Sequence, residues 1–250
     1  MSSQPKADIS DYDQSGYDYR RYWDNRQYDN LAEKKILKKL LPKFSEQLID
    51  IGGGYGRLID VYLDRAKHIT IFDYSQQLLR TAQSVIETNN YHHIETQQGD
   101  IYSMPFHDKV FDTALLIRVI HHLERPSLAL NEISRIIRPG GTIILQVGNK
   151  KHLKNVIKAK ITRNKELVNT KPVNISREGI FYQFHPSYIE EKLKENGFKL
   201  VSTHSVSNIR IPLIYRIIPA PLLVAFDQLI TPLFNRFDWG PSLFIVAQKQ

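Results

Sequence analysis

The 250 residues predict an α/β protein built on a doubly wound sheet, and three observations carry that expectation. Short runs rich in β-branched and apolar residues recur, with helical patterns between most of them. The first run ends in a glycine-dense turn, "LIDIGGGYGRLID", over residues 48–60. Acids stand at or near the ends of the first three runs, Asp50, Asp73 and Asp100, along the carboxyl edge where such sheets bind ligands.

In order along the chain, "LAEKKILKKLL" (31–41) places Leu31, Ile36, Leu37, Leu40 and Leu41 on one helical stripe with lysines opposite, which reads as an amphipathic helix leading into the domain. Strands are expected at "QLIDI" (47–51), "HITIFD" (68–73), "HIETQQ" (93–98), "FDTALLI" (111–117) and "TIILQV" (142–147). Ser75 can N-cap the helix "SQQLLRTAQSVIE", and "RPGG" (138–141) is expected to stop the helix "LALNEISRII" before the next strand. Beyond residue 148 the alternation breaks down. A lysine-rich segment (149–165) leads to a helix near 187–196, the strand "FKLVSTHSV" (198–206), a proline-rich apolar stretch and a last strand "SLFIVAQK" (242–249).

Composition bounds the functions. Apolar residues at 42% and charged residues at 24% fit one globular domain of 1–250 and argue against wholesale disorder. The net charge of +8 favours an anionic partner without specifying one. With no cysteine, disulfides, thiolate metal sites and cysteine nucleophiles are excluded, no metal site is expected, and a reducing cytoplasm fits best. The N-terminal "MSSQPKADISDYDQ" lacks the apolar core of a signal peptide, and "IIPAPLLVAF" (217–226) is too short and proline-broken to span a bilayer.

The glycines at 52, 53, 54 and 56 spell G-x-G-x-G, followed by Arg57. A dinucleotide fingerprint needs its last glycine one residue later, and a phosphate loop needs a Gly-Lys-Ser/Thr ending, so neither fits. Asp73 lies about twenty residues after the turn, where a carboxylate accepts the hydroxyls of a ribose.

Four ordered stretches resemble the class I S-adenosylmethionine-dependent methyltransferases: "LIDIGGGYG", "IFDYS", "GDIYSMPFHDKVFDTALLIRVIHHL" and "EISRIIRPGGTIIL". The resemblance runs from about residue 46 to 148, and "YIEEKLKENGF" is similar to that family's penultimate helix. It implies a Rossmann-like seven-stranded sheet with an antiparallel last strand and helices on both faces. It divides the chain into an N-terminal arm and helix (1–45), a cofactor-binding core (46–148) and two substrate-cap insertions (149–186 and 208–241). It implies S-adenosylmethionine as donor and S-adenosylhomocysteine as product. Gly52, Gly54 and Gly56 would lie against the methionine part, with Asp50 near its amino group. Gly53 stands where many relatives carry another small residue. Asp73 would hold the ribose, Tyr74 pack on the adenine, Asp100 accept from its amino group and Ile101 add a backbone contact. Arg118 and Val119 would lie beside the ribose and sulfonium. The N-terminal arm would act as a lid, with Arg26 or Tyr28 meeting the donor's carboxylate.

Methyl transfer from a sulfonium is an in-line displacement, so holding the acceptor supplies much of the acceleration, and a base is needed only if the acceptor loses a proton. His122 and His185 are the candidate bases, with His121 and the N-terminal tyrosines behind them. His185 also has a simpler role open to it, starting the helix at 187. The apolar second insertion beside the basic first one suits a small or lipid-like acceptor, with possible peripheral membrane contact; a dimerisation element is the competing reading. An RNA or protein methyltransferase is the alternative, although "LLIRVIHHL" lacks the Asn/Asp-Pro-Pro-Tyr/Phe signature of base-amino methylation. A non-catalytic binding protein is the second alternative.

Overall fold

The computed structural model describes residues 19–176 and 180–250. A 3₁₀ turn over Tyr19–Trp23 precedes α1 (Gln27–Leu40), β1 (Ser45–Ile51), α2 (Ile59–Tyr62), β2 (Ala66–Asp73), α3 (Gln76–Thr88), β3 (Ile94–Gln98) and β4 (Phe111–Leu116). There follow a 3₁₀ turn at Ile120–His122, α4 (Pro126–Ile136), β5 (Ile137–Gly148), α5 (Leu153–Thr162) and a small hairpin of β6 (Val173–Asn174) with β7 (Tyr182–Gln183). The chain then runs through α6 (Pro186–Glu195), β8 (Phe198–Val206), α7 (Pro212–Ile217), α8 (Ala220–Phe237) and β9 (Ser242–Lys249). The N-terminal arm before Tyr19 lies outside the described residues.

The described residues form a seven-stranded sheet in the order β3-β2-β1-β4-β5-β9-β8. Strands β1 to β5 are parallel, and β9 runs antiparallel to both of its neighbours, so β8 points the same way as β5. The Rossmann-like sheet with an antiparallel last strand is therefore present. Central β4 is buried along its whole length, the pattern of a strand covered on both faces. One apolar cluster packs Leu130 and Ile133 of α4 and Leu193 of α6 against the sheet. The other packs Leu37 of α1, Ile59 of α2, Ala82 of α3 and Leu223 of α8 against the opposite face.

Two expectations need correction. Helix α1 begins at Gln27, and its buried line is Tyr28, Asp29, Ala32, Glu33 and Leu37, whereas Leu31 is exposed. Two acids displace a leucine from the inner face because Glu33 has cationic partners waiting there. The "RPGG" segment does follow the end of α4, but β5 already starts at Ile137 and carries the four residues with it, its register against β4 broken between Phe111 and Thr113. Ser75 caps α3 as its hydroxyl chemistry predicts, accepting from the Leu78 N–H at 3.1 Å.

The topology aims both insertions at one edge. β5 and β8 end at Gly148 and Val206 on the carboxyl side of the parallel strands, so α5 and α7 both leave from the edge that carries the glycine turn. Among the described residues, no helix is long and apolar enough to cross a membrane.

Candidate donor site and the relatives it points to

At the end of β1 the chain must turn within one residue. The Gly52 N–H donates to the Phe72 carbonyl at 2.7 Å, and its φ of 72° lies in the left-handed region; a Cβ there would come within 2.2 Å of Val119 Cγ2. Only glycine fits, because both the backbone and the neighbour forbid a side chain. Two residues on, Gly54 also has positive φ and its N–H donates to Asp73 Oδ2 at 2.8 Å. The Ser75 N–H donates to Asp73 Oδ1 at 2.8 Å. The acid at the tip of β2 is thus fixed from both sides by backbone donors.

These segments enclose an open cleft of about 1070 Å³ including its mouth. Asp50, Gly52, Gly53, Gly54, Asp73, Tyr74, Ile101, Arg118, Val119 and His122 all line it. Asp50 is buried, and the Tyr62 hydroxyl donates to its Oδ2 at 3.1 Å. Burial pushes its pKa up to about 7, against the opposing pull of the Tyr62 hydrogen bond and of Arg57.

Five expected site residues lie elsewhere. Gly56 sits beyond the lining, against Ile59 at the start of α2. Asp100 accepts from the Tyr102 N–H at 2.9 Å, while its neighbours Gly99 and Ile101 line the cleft. Tyr28 is buried beneath the second insertion, its hydroxyl accepting from the Ile209 N–H at 3.2 Å and its ring against Tyr215. His185 caps α6, its Nδ1 accepting from the Ser187 N–H at 3.3 Å, and is not among the lining residues. Arg26 pairs with Asp29 and stacks on the Tyr22 ring.

The sequence reading missed the group that organises the mouth. Glu33 of α1 is almost wholly buried and accepts from Arg57 at 3.0 Å, from Arg118 and, on Oε1, from Gln146 at 3.0 Å. Burial alone would raise its pKa, but the two guanidiniums overcome that and hold it below the ordinary carboxylate range. The guanidiniums of Arg57 and Arg118 lie 4.1 and 4.6 Å from the Trp23 ring centre, and the Tyr22 hydroxyl accepts from Arg118. The available signal was Asp29, Glu33 and Leu37 at spacings of four, which puts acids on an apolar stripe.

After β4, His122 Nδ1 lies 2.9 Å from the Ile180 carbonyl. A carbonyl only accepts, so Nδ1 carries the proton and Nε2 the lone pair. Burial, with Arg118 nearby, lowers the His122 pKa despite the Ile180 hydrogen bond, so the ring is neutral at pH 7. His121 and Phe181 pack against it with ring centres at 4.4 and 5.4 Å. Among the described residues, the first insertion approaches the cleft through this contact, and no described residue of either insertion lines it.

Charge decides which ligand suits the cleft. Asp50 and Asp73 line the cleft, and the two guanidiniums that line it, Arg57 and Arg118, are both engaged by the buried Glu33 behind it. A pyrophosphate would find no cationic cradle, whereas a cationic nucleoside meets acids and the apolar walls of Phe72, Leu78, Ile101 and Val119. The residues present therefore fit a sulfonium nucleoside.

A glycine turn after β1, a backbone-fixed acid ending β2 and a loop after β4 around one cleft define a Rossmann-like domain of the methyltransferase type. Residues 49–145 match the family described as Methyltransferase domain, and over that stretch the chain is similar to the class I S-adenosylmethionine-dependent methyltransferases. Similar proteins include the ubiquinone/menaquinone biosynthesis C-methyltransferase UbiE of Roseobacter denitrificans, 30% identical over 121 residues that cover 46% of this chain and 47% of the relative. The O-methyltransferase rstn1 of Aspergillus nomiae is 26% identical over 146 residues, 52% of this chain and 62% of its own. The chain thus matches about half the length of these relatives. Among solved structures, the [4+2]-cyclase SpnF superposes with a TM-score of 0.61 at 19% identity, covering 87% of this chain and 80% of that one. A possible histamine N-methyltransferase from Thermotoga maritima gives 0.62 at 17% identity, covering 93% and 95%. At such identities these two likenesses establish the fold alone.

Proposed function

We propose that the protein is a methyltransferase that uses S-adenosylmethionine to methylate a small or lipid-like acceptor. The observation that carries this is the cleft lined by Asp50 and Asp73, with Asp73 pinned by the Gly54 and Ser75 N–H groups. When bound, S-adenosylmethionine supplies an electrophilic methyl group on a sulfonium. Asp73 would hold the ribose hydroxyls, Asp50 the amino group, the Gly52–Gly54 backbone the methionine part, and Tyr74 and Ile101 the adenine. Arg118, held by Glu33, would fix the loop after β4 against the donor. His122, neutral and with Nε2 as acceptor, is the candidate to take a proton from an acceptor that must lose one. A hydrophobic acceptor is supported by the apolar second insertion leaving the same edge, and by UbiE, which is named for quinone C-methylation.

Titration calorimetry with S-adenosylhomocysteine tests the donor site. Binding is expected, and Asp73→Ala should weaken it by about 1–3 kcal/mol through unpaired polar groups. Absence of both heat and thermal shift would remove the proposal. Tritium transfer from labelled donor into extract fractions should favour the lipid pool over RNA and protein.

A further inference from the structure

Helix α8 has apolar residues on two opposite sides. Leu223 and Val224 face the core, while Leu222, Phe226, Leu229, Ile230, Leu233 and Phe237 form a second stripe on the solvent side, with Leu229 77% exposed. Their spacing of four, three, one, three and four is that of one helical face. Between residues 217 and 235 the only charged side chain is Asp227, which is buried. The preceding α7 adds exposed Leu213 and Ile217. An apolar face of this extent marks a binding surface.

The rim of that face is cationic. The start of α5 is tied to the end of α8, because the Leu153 N–H donates to the Trp239 carbonyl at 2.9 Å and Lys151 pairs with Asp238. Residues 149–165 contain no acid, and Lys154, Lys158 and Lys160 of α5 are exposed, as are Ile157 and Ile161 beside them. On the other flank Lys35 of α1 reaches Gln228 of α8, with Lys38 and Lys39 exposed nearby. Pairing two copies through α8 would bring two positive rims together, which like-charge repulsion opposes. A bilayer surface with anionic headgroups meets both features at once, taking the apolar stripe into its boundary and the lysines at its headgroups.

We infer that α7 and α8, flanked by α5, dock the protein on an anionic lipid bilayer. The surface leaves from the sheet edge that carries the donor cleft, so docking presents the cleft to a membrane-resident acceptor; that last point rests on the proposed function, while docking itself does not.

Flotation of the full chain with phosphatidylcholine vesicles, and with phosphatidylcholine vesicles containing phosphatidylglycerol, tests it without donor or turnover. Binding is expected to the anionic vesicles, weakening with added salt as the charges are screened. Leu229→Asp should reduce it about tenfold or more, and the milder Leu229→Ser less. Replacing Lys154, Lys158 and Lys160 with Gln should cost about fivefold per lysine. Both Leu229 variants should bind S-adenosylhomocysteine as the parent does, which shows that they fold. The inference is overturned if neither vesicle retains the protein, if Leu229→Asp floats like the parent, or if sedimentation shows a dimer that Leu229→Asp dissociates while vesicles bind neither form. Failure of the calorimetry above would remove the donor reading and leave this result standing.

Discussion

Asp50 should make donor-site binding proton-linked. In the unfolded chain its carboxyl ionises near 3.8; in the folded protein burial moves it to about 7. The difference of about 3 units corresponds to roughly 4 kcal/mol for ionising the group inside the cleft, an upper bound on what is recoverable. The sign for folding follows directly. The folded chain holds an extra proton between these two values, so the stability contributed by Asp50 is full below about pH 4 and is lost as pH rises to about 7. A ligand bearing an ammonium beside Asp50 favours the carboxylate and must expel that proton. At pH 6 binding should therefore release on the order of 0.9 proton, and below pH 7 affinity should fall about tenfold per unit. Calorimetry of S-adenosylhomocysteine binding in buffers of different ionisation enthalpy reads the release, and a pH series reads the slope. Asp50→Asn keeps the Tyr62 partner but should erase both effects, while raising apparent stability at pH 8. Buffer-independent heats together with a flat profile in the parent protein would refute the placement of a cation beside Asp50.

Other outcomes follow from the same geometry. Glu33→Ala leaves Arg57 and Arg118 without their carboxylate and should cost about 3–5 kcal/mol, seen as a melting temperature lowered by roughly 6–15 °C. Because Glu33 titrates below its ordinary value in the fold, its contribution is present above that value and fades on acidification. Gly52→Ala drives a Cβ toward Val119 and adds backbone strain, so S-adenosylhomocysteine affinity should drop at least tenfold, measured by calorimetry. His122→Ala should lower kcat by about 10²–10⁴ for an acceptor that loses a proton, with donor affinity unchanged; equal kcat would assign His122 to packing.

The parallel core was legible because its cues are local. Runs of apolar and β-branched residues, a glycine turn and a serine cap each act within a few residues, and β1 to β4 begin within two residues of the expected positions. The inner face of α1 was not legible. Leucine count assigned the stripe to Leu31, whereas the choice is made by partners far along the chain that give Glu33 a use in the interior. The same applies to Tyr28, whose aromatic ring and hydroxyl suit a ligand contact as well as the contact with Ile209 that it makes. His185 was ambiguous for a shorter-range reason, since an imidazole before a Pro-Ser pair serves equally as helix cap and as base, and it caps. The RPGG turn fits a helix stop, but nothing local says that the next strand starts before it.

The carboxylate of Glu33 joins residues that are 24, 85 and 113 positions away, through Arg57, Arg118 and Gln146. Contacts of such separation require the intervening loops to be closed, so the cleft mouth depends on elements from across the chain being in place. The stretch that carries the family likeness, 49–145, contains both arginines but neither Glu33 nor Trp23. Cut out alone, it would retain both cations without the buried carboxylate that pairs them. Ligand binding then reports the completion of folding, and the segment most recognisable as a module is not one that can be excised with its site intact.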